Sequence, residues 1–108
     1  MNSRQKLILF LISFEGFNNT FQLVKYLDRA DYPADIGGIL ETLTAEKLIC
    51  VSGFANNGTP IEYVVTDKGK EILRDKSLRV EIINYIKTLQ EPTFLLQLTE
   101  KLIARENV

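Results

Sequence analysis

The stretch Pro33-Ala34-Asp35-Ile36-Gly37-Gly38-Ile39-Leu40-Glu41-Thr42-Leu43-Thr44-Ala45-Glu46, continuing as Lys47-Leu48-Ile49-Cys50-Val51-Ser52-Gly53-Phe54, passes from the hydrophobic period of a helix to that of a strand. Ile36, Ile39, Leu40 and Leu43 recur at i, i+3, i+4 and i+7, which predicts a helix over about 34–46 with one buried face. Pro33 suits the start of such a helix, where its missing N–H costs nothing. Residues 48–54 and 61–66 are β-branched and aromatic runs on either side of Ala55-Asn56-Asn57-Gly58-Thr59-Pro60. Asn57-Gly58 between two strands predicts a tight hairpin, because both residue types tolerate positive φ.

Working outward from that switch, residues 4–15 read as a first helix stopped by Gly16. Leu7, Leu11 and Phe14 form one apolar stripe, and Ile8, Leu9, Phe10 and Ile12 fill others, so this helix is expected to be covered on several sides. Asn18-Asn19-Thr20 offers caps for a second helix over 20–30. Beyond the hairpin, Thr66 or Asp67 caps a short helix to about Asp75, and Ser77 caps another from Leu78 to Gln90. Pro92 interrupts that helix, and a last one runs to about Arg105. The expected fold class is mainly α with a small β-hairpin (α+β), a core domain over 1–75 and a helical extension over 76–108. Leu40, Leu43, Ile49, Val65 and Ile72 are its expected core.

At 108 residues and 45% apolar content, the chain has the material for one domain with a real core. It contains one cysteine, Cys50, and no histidine. An internal disulfide, a Cys/His zinc site and a Ser-His or Cys-His nucleophile are thereby excluded. No catalytic residue, metal ligand or cofactor site is assigned, and an enzyme is not expected. Arg4 and Lys6 precede the apolar run Leu7–Phe14, but no cleavage site follows and the run is too short to span a bilayer. A buried helix in a cytoplasmic protein with no membrane partner is the expectation, with Cys50 a reduced core thiol.

Residues 33–49 resemble the recognition-helix stretch of winged helix-turn-helix transcription regulators of the MarR-like and PadR-like groups. Tyr63-Val64-Val65-Thr66-Asp67-Lys68-Gly69-Lys70-Glu71-Ile72-Leu73 is similar to their hydrophobic–Thr–x–Lys–Gly segment, which closes the wing and opens the next helix. The resemblance covers residues 4–75. It implies a dimeric regulator that binds double-stranded DNA through the third helix and the wing. The residues it places at that interface are Thr20, Gln22, Lys25, Arg29, Ala34, Gly37, Gly38, Thr42, Asn56, Asn57 and Lys68. The chain departs from the pattern at Lys47, where a glycine usually stands.

Charge points another way. Residues 33–67 carry one basic side chain, Lys47, against Asp35, Glu41, Glu46, Glu62 and Asp67. The outward positions of the third helix (Ala34, Asp35, Gly37, Gly38, Glu41, Thr42) include no cation, whereas phosphates are met chiefly by Lys and Arg. Gly37-Gly38 would let a phosphate come close to backbone at a helix start. Lys25 and Arg29 share a face, and five cations lie in 68–79. The alternative is a winged-helix interaction module whose acidic third helix meets a protein.

The C-terminal third supplies Leu78, Ile82, Tyr85, Ile86 and Leu89 as one stripe, then Phe94, Leu95, Leu96, Leu98, Leu102 and Ile103. With the all-round apolar first helix, this surplus predicts a homodimer through Leu9, Phe10, Ile82, Ile86, Leu89, Phe94, Leu98 and Leu102.

Overall fold

The computed structural model describes residues 1–106. Three helices, α1 (Ser3–Ile12), α2 (Thr20–Arg29) and α3 (Ile36–Ala45), precede an antiparallel hairpin of β1 (Ile49–Phe54) and β2 (Pro60–Val65). Three more follow: α4 (Asp67–Leu73), α5 (Ser77–Lys87) and α6 (Thr93–Glu106). The result is an α+β, winged-helix-like arrangement with added C-terminal helices.

Side-chain caps fix most helix starts. The Asn2 Oδ1 accepts from the Gln5 N–H while Gln5 Oε1 accepts from the Asn2 N–H, both at 2.9 Å, a reciprocal capping box. Asn19 caps α2 through the Phe21 N–H at 2.9 Å. The α3 helix begins at Ile36, two residues later than its apolar period suggests, because Asp35 is the residue that caps it. Ser77, expected as a cap, is instead the first residue of α5; its N–H and Oγ both donate to the Asp75 carboxylate, at 3.0 and 2.7 Å. Those two bonds hold the Asp75 carboxyl below its usual range. The α1 helix ends at Ile12, short of 15, where the Ser13 Oγ turns back on the Phe10 carbonyl at 2.6 Å.

In the hairpin, Ile49 lies opposite Val65, Cys50 opposite Val64 and Val51 opposite Tyr63, with irregularities beyond Val51. A third chain segment touches β2: the Tyr63 N–H donates to the Asn18 carbonyl at 2.9 Å, and Asn19 bridges to Glu62. The connection falls where the Asn-Gly signal puts it, between Phe54 and Pro60. Gly58 alone has positive φ, at 85°; its N–H closes on the Ala55 carbonyl at 2.9 Å, and the Ala55 N–H on the Thr59 carbonyl at 2.8 Å. This is the longer loop in which a tight turn is followed by a glycine in the left-handed region. Asn57 contributes its side chain instead, accepting from the Thr59 N–H at 3.0 Å.

The Thr-x-Lys-Gly segment locks the hairpin to the end of α3. Thr66 Oγ1 accepts from the Gly69 N–H at 3.1 Å, capping α4, and donates to the Lys47 carbonyl at 2.6 Å. The Thr66 N–H donates to the Leu48 carbonyl at 3.0 Å, and Lys68 Nζ to the Glu46 carbonyl at 3.0 Å. Carbonyls left over at the end of α3 thus find donors from the segment that follows the wing. Lys47 takes the left-handed backbone its position needs, with φ of 62°.

The core surrounds α1. Leu7–Ile12 are all buried, packed among α3, α5 and β2. Six large side chains of this kind represent roughly 9–18 kcal/mol of gross transfer energy, before the cost of ordering the chain is subtracted. Leu40, Leu43 and Ile49 are buried as expected, but Val65 and Ile72 are only half-buried, and Leu73 takes the inward position on α4. Cys50 is exposed, not in the core. Because Ile49, the first residue of β1, is turned into the core, strand alternation turns Cys50, and Val64 opposite it, to the outer face of the hairpin, where Phe54 is also exposed. Among the described residues no helix is long and apolar enough to cross a membrane.

Candidate interaction surface

The α3 helix turns Leu40 and Leu43 into the core and leaves Gly37, Glu41 and Ala45 exposed, with Gly38 and Thr42 half-covered. Its N-terminus, where backbone N–H groups would attract an anion, is already occupied by a carboxylate of this chain. The Gly38 N–H donates to Asp35 Oδ1 at 3.2 Å. A Cβ on Gly38 would stand 2.7 Å from Asp35 Oδ2, while one on Gly37 would meet nothing closer than 3.6 Å. Gly38 therefore makes room for its own cap, and the expected phosphate approach at Gly37-Gly38 meets the negative charge of that cap. Thr42 spends its hydroxyl proton within the helix, donating to the Gly38 carbonyl at 3.0 Å.

Ala34, Gly38 and Thr42 line one wall of a cleft of about 350 Å³, whose other wall is the start of α1 with Asn2, Arg4 and Gln5. Arg4 is the cation beside this face. No local pattern points to it, because it lies 30 positions before Ala34 and only tertiary packing brings the two together. On the wing side, Glu41 lies near the Tyr63 phenol, whose pKa is raised by burial first and by this carboxylate second.

The other residues proposed for DNA contact are dispersed. Gln22 and Lys25 are exposed on α2, but Thr20 is half-covered and its Oγ1 is buried without a hydrogen-bond partner. Arg29 lays its guanidinium 4.9 Å from the Phe94 ring centre, so it is directed towards α6. Lys68 is bonded to the Glu46 carbonyl. Asn56 and Asn57 sit at the uncharged wing tip. Of the cations Lys25, Arg29 and Lys68, only Lys25 has neither a hydrogen bond nor an aromatic ring to hold it among the described residues.

The residues named for dimerisation tell a similar story. Leu9, Phe10, Ile82, Ile86 and Leu102 are at most 1% exposed within one chain. Their cover is already supplied by this chain's own core. Leu89, Phe94 and Leu98 are half-buried against the same core. The apolar surplus of α1, α5 and α6 is largely consumed by their packing on one another.

No group of three or more His, Cys, Asp or Glu side chains capable of holding a metal occurs among the described residues. Comparison with family models, with curated proteins and with solved structures finds no match to this chain.

Proposed function

We propose that this chain is a winged-helix interaction module that meets a protein partner through the acidic face of α3, and that it does not read duplex DNA through that helix. The observation that carries this reading is the Asp35 carboxylate seated over the N-terminus of α3. A phosphate approaching there would meet that charge and then Glu41, both exposed carboxylates, so the repulsion is on the order of 1 kcal/mol per charge at close range and is screened by salt. Arg4 alone offsets two carboxylates at this face. A protein surface bearing Lys or Arg fits the same arrangement without repulsion.

The test is selection from a random duplex pool, combined with site-specific crosslinking. With a photoreactive residue at the exposed position 45, one turn from Glu41, crosslinks should form to a basic surface of a discrete protein in the native cell extract, and adding Glu41→Lys should abolish them. Enrichment of a duplex sequence whose binding is lost on reversing Lys25 or Arg4 would replace this reading with DNA recognition.

A further inference from the structure

Residues 68–79 carry five basic side chains against Glu71 and Asp75. The fold wraps this segment as α4, a short link and the start of α5. That path brings Lys70, Arg74, Lys76 and Arg79 around one groove of about 750 Å³, whose far wall is the last turn of α6. The floor is apolar, made by Leu73 and the half-buried Ile103.

The charges in this groove are not equivalent. Arg79 holds Glu106 through two hydrogen bonds, Nε to Oε2 at 2.8 Å and Nη2 to Oε1 at 2.7 Å, so the one carboxylate of the lining is already neutralised. Arg74 pairs with Glu71 on the exposed side of α4. Lys70 and Lys76 are exposed and form no ion pair among the described residues. Two uncommitted ammonium groups thus flank an apolar floor.

We propose that this groove is a second docking site, for an acidic peptide segment anchored by an apolar side chain. Carboxylates of the segment meet Lys70 and Lys76, and a leucine-like side chain rests on Leu73 and Ile103. A nucleic-acid backbone supplies the negative charge but nothing for that floor, so the lining favours the peptide. The volume lies in the range of sites that take a few side chains rather than a whole domain. The site is separate from the acidic α3 face, so its test stands independently of the function proposed above.

The experiment uses the full chain and a fluorescein-labelled peptide of glutamates interrupted by paired leucines, read by anisotropy. The peptide should bind, with affinity falling as salt is raised. Lys70→Glu combined with Lys76→Glu should weaken it by about tenfold or more, the equivalent of losing two exposed ion pairs and gaining repulsion. The thermal midpoint of that variant, with both changes on exposed side chains, reports that it is folded. An all-glutamate peptide should bind much more weakly, and Glu41→Lys should leave binding of the leucine peptide unchanged. Absence of binding, equal binding of the all-glutamate peptide, indifference to the double reversal, or displacement of the peptide by a short DNA duplex would each overturn the proposal.

Discussion

Gly69 stands so close to the base of the hairpin that a Cβ added to it would lie 2.3 Å from the Leu48 carbonyl oxygen and 2.7 Å from Val65 Cγ1. The obstacle is backbone, held in place by the Thr66 N–H bond to the same oxygen. Gly69→Ala must therefore push α4 off the hairpin, and we expect a loss of about 2–3 kcal/mol in urea denaturation.

Gly38→Ala provides the contrast. Its added Cβ meets only the Asp35 carboxylate, the free end of a side chain that can swing away. Losing the cap costs about 1 kcal/mol, and replacing a helical glycine by alanine returns about the same. The denaturation midpoint should stay nearly unchanged, and a drop as large as that of Gly69→Ala would show that Asp35 is held more firmly than its cap bond implies.

Arg79 joins three elements. Besides Glu106 on α6 it bonds the Leu73 carbonyl at 2.6 Å and the Asp75 carbonyl at 3.2 Å, and its guanidinium lies 5.6 Å from the Phe10 ring centre. Arg79→Ala should cost about 2–3 kcal/mol, since the part-buried Leu73 carbonyl loses a charged donor and Glu106 loses its partner. Glu106→Gln, which keeps one acceptor and removes only an ion pair near the surface, should cost under about 1 kcal/mol. Equal losses for the two variants would locate the value in the ion pair rather than in the carbonyl contacts.

Stability should fall at alkaline pH. Tyr32 is half-buried and shares a hydrogen bond of 2.9 Å with the Tyr85 hydroxyl, and desolvation first and that bond second raise its pKa above the ordinary 10.0. Tyr63 shifts in the same direction. An acid whose folded pKa is raised stays neutral in the native state while the unfolded chain ionises, so its stabilising contribution is complete below 10.0 and is lost as pH climbs through and beyond that value. Thermal midpoints measured from neutral pH to above 10 should decline, and Tyr32→Phe should flatten the decline.

Light scattering at micromolar concentration should report a single chain of 12.3 kDa. The expectation of a dimer rests on apolar residues that α1, α5 and α6 bury among themselves. A doubled mass would assign an interface to residues still exposed, Val80 at 60% and Phe21 at 68% among them.

The order of elements was legible because its signals are local: a change of period at Lys47, a capping threonine at 66, a helix breaker at Pro92. The facing of Cys50 was not. Leu48, Ile49, Cys50 and Val51 are all apolar, and the single polar residue that shares the face of Cys50 in the strand, Ser52, is all that marks that face as outward. Nor does an all-round apolar helix say whether its cover comes from its own chain or from a copy; the Lys6–Glu81 ion pair and the packing of α5 on α1 answer that only in three dimensions. At the candidate surface, the outward residues of α3 were read correctly as uncharged or acidic. The Arg4 wall and the seat of the Asp35 carboxylate depend on side-chain placement that no spacing rule encodes.

Because α1 is wrapped by segments from the far end of the chain, the ribosome delivers the wrapped element first and its wrapping last. Leu7–Ile12 emerge some 70 positions before Ile82 and Ile86 can cover them. At about 5–20 residues per second that interval is several seconds, far longer than helix formation itself. Until then the side of α1 that α5 covers stays on display, an apolar stretch suited to holding by a chaperone. Arresting translation before residue 82 should leave α1 open to such capture, and arresting it once residue 106 has cleared the tunnel should release it.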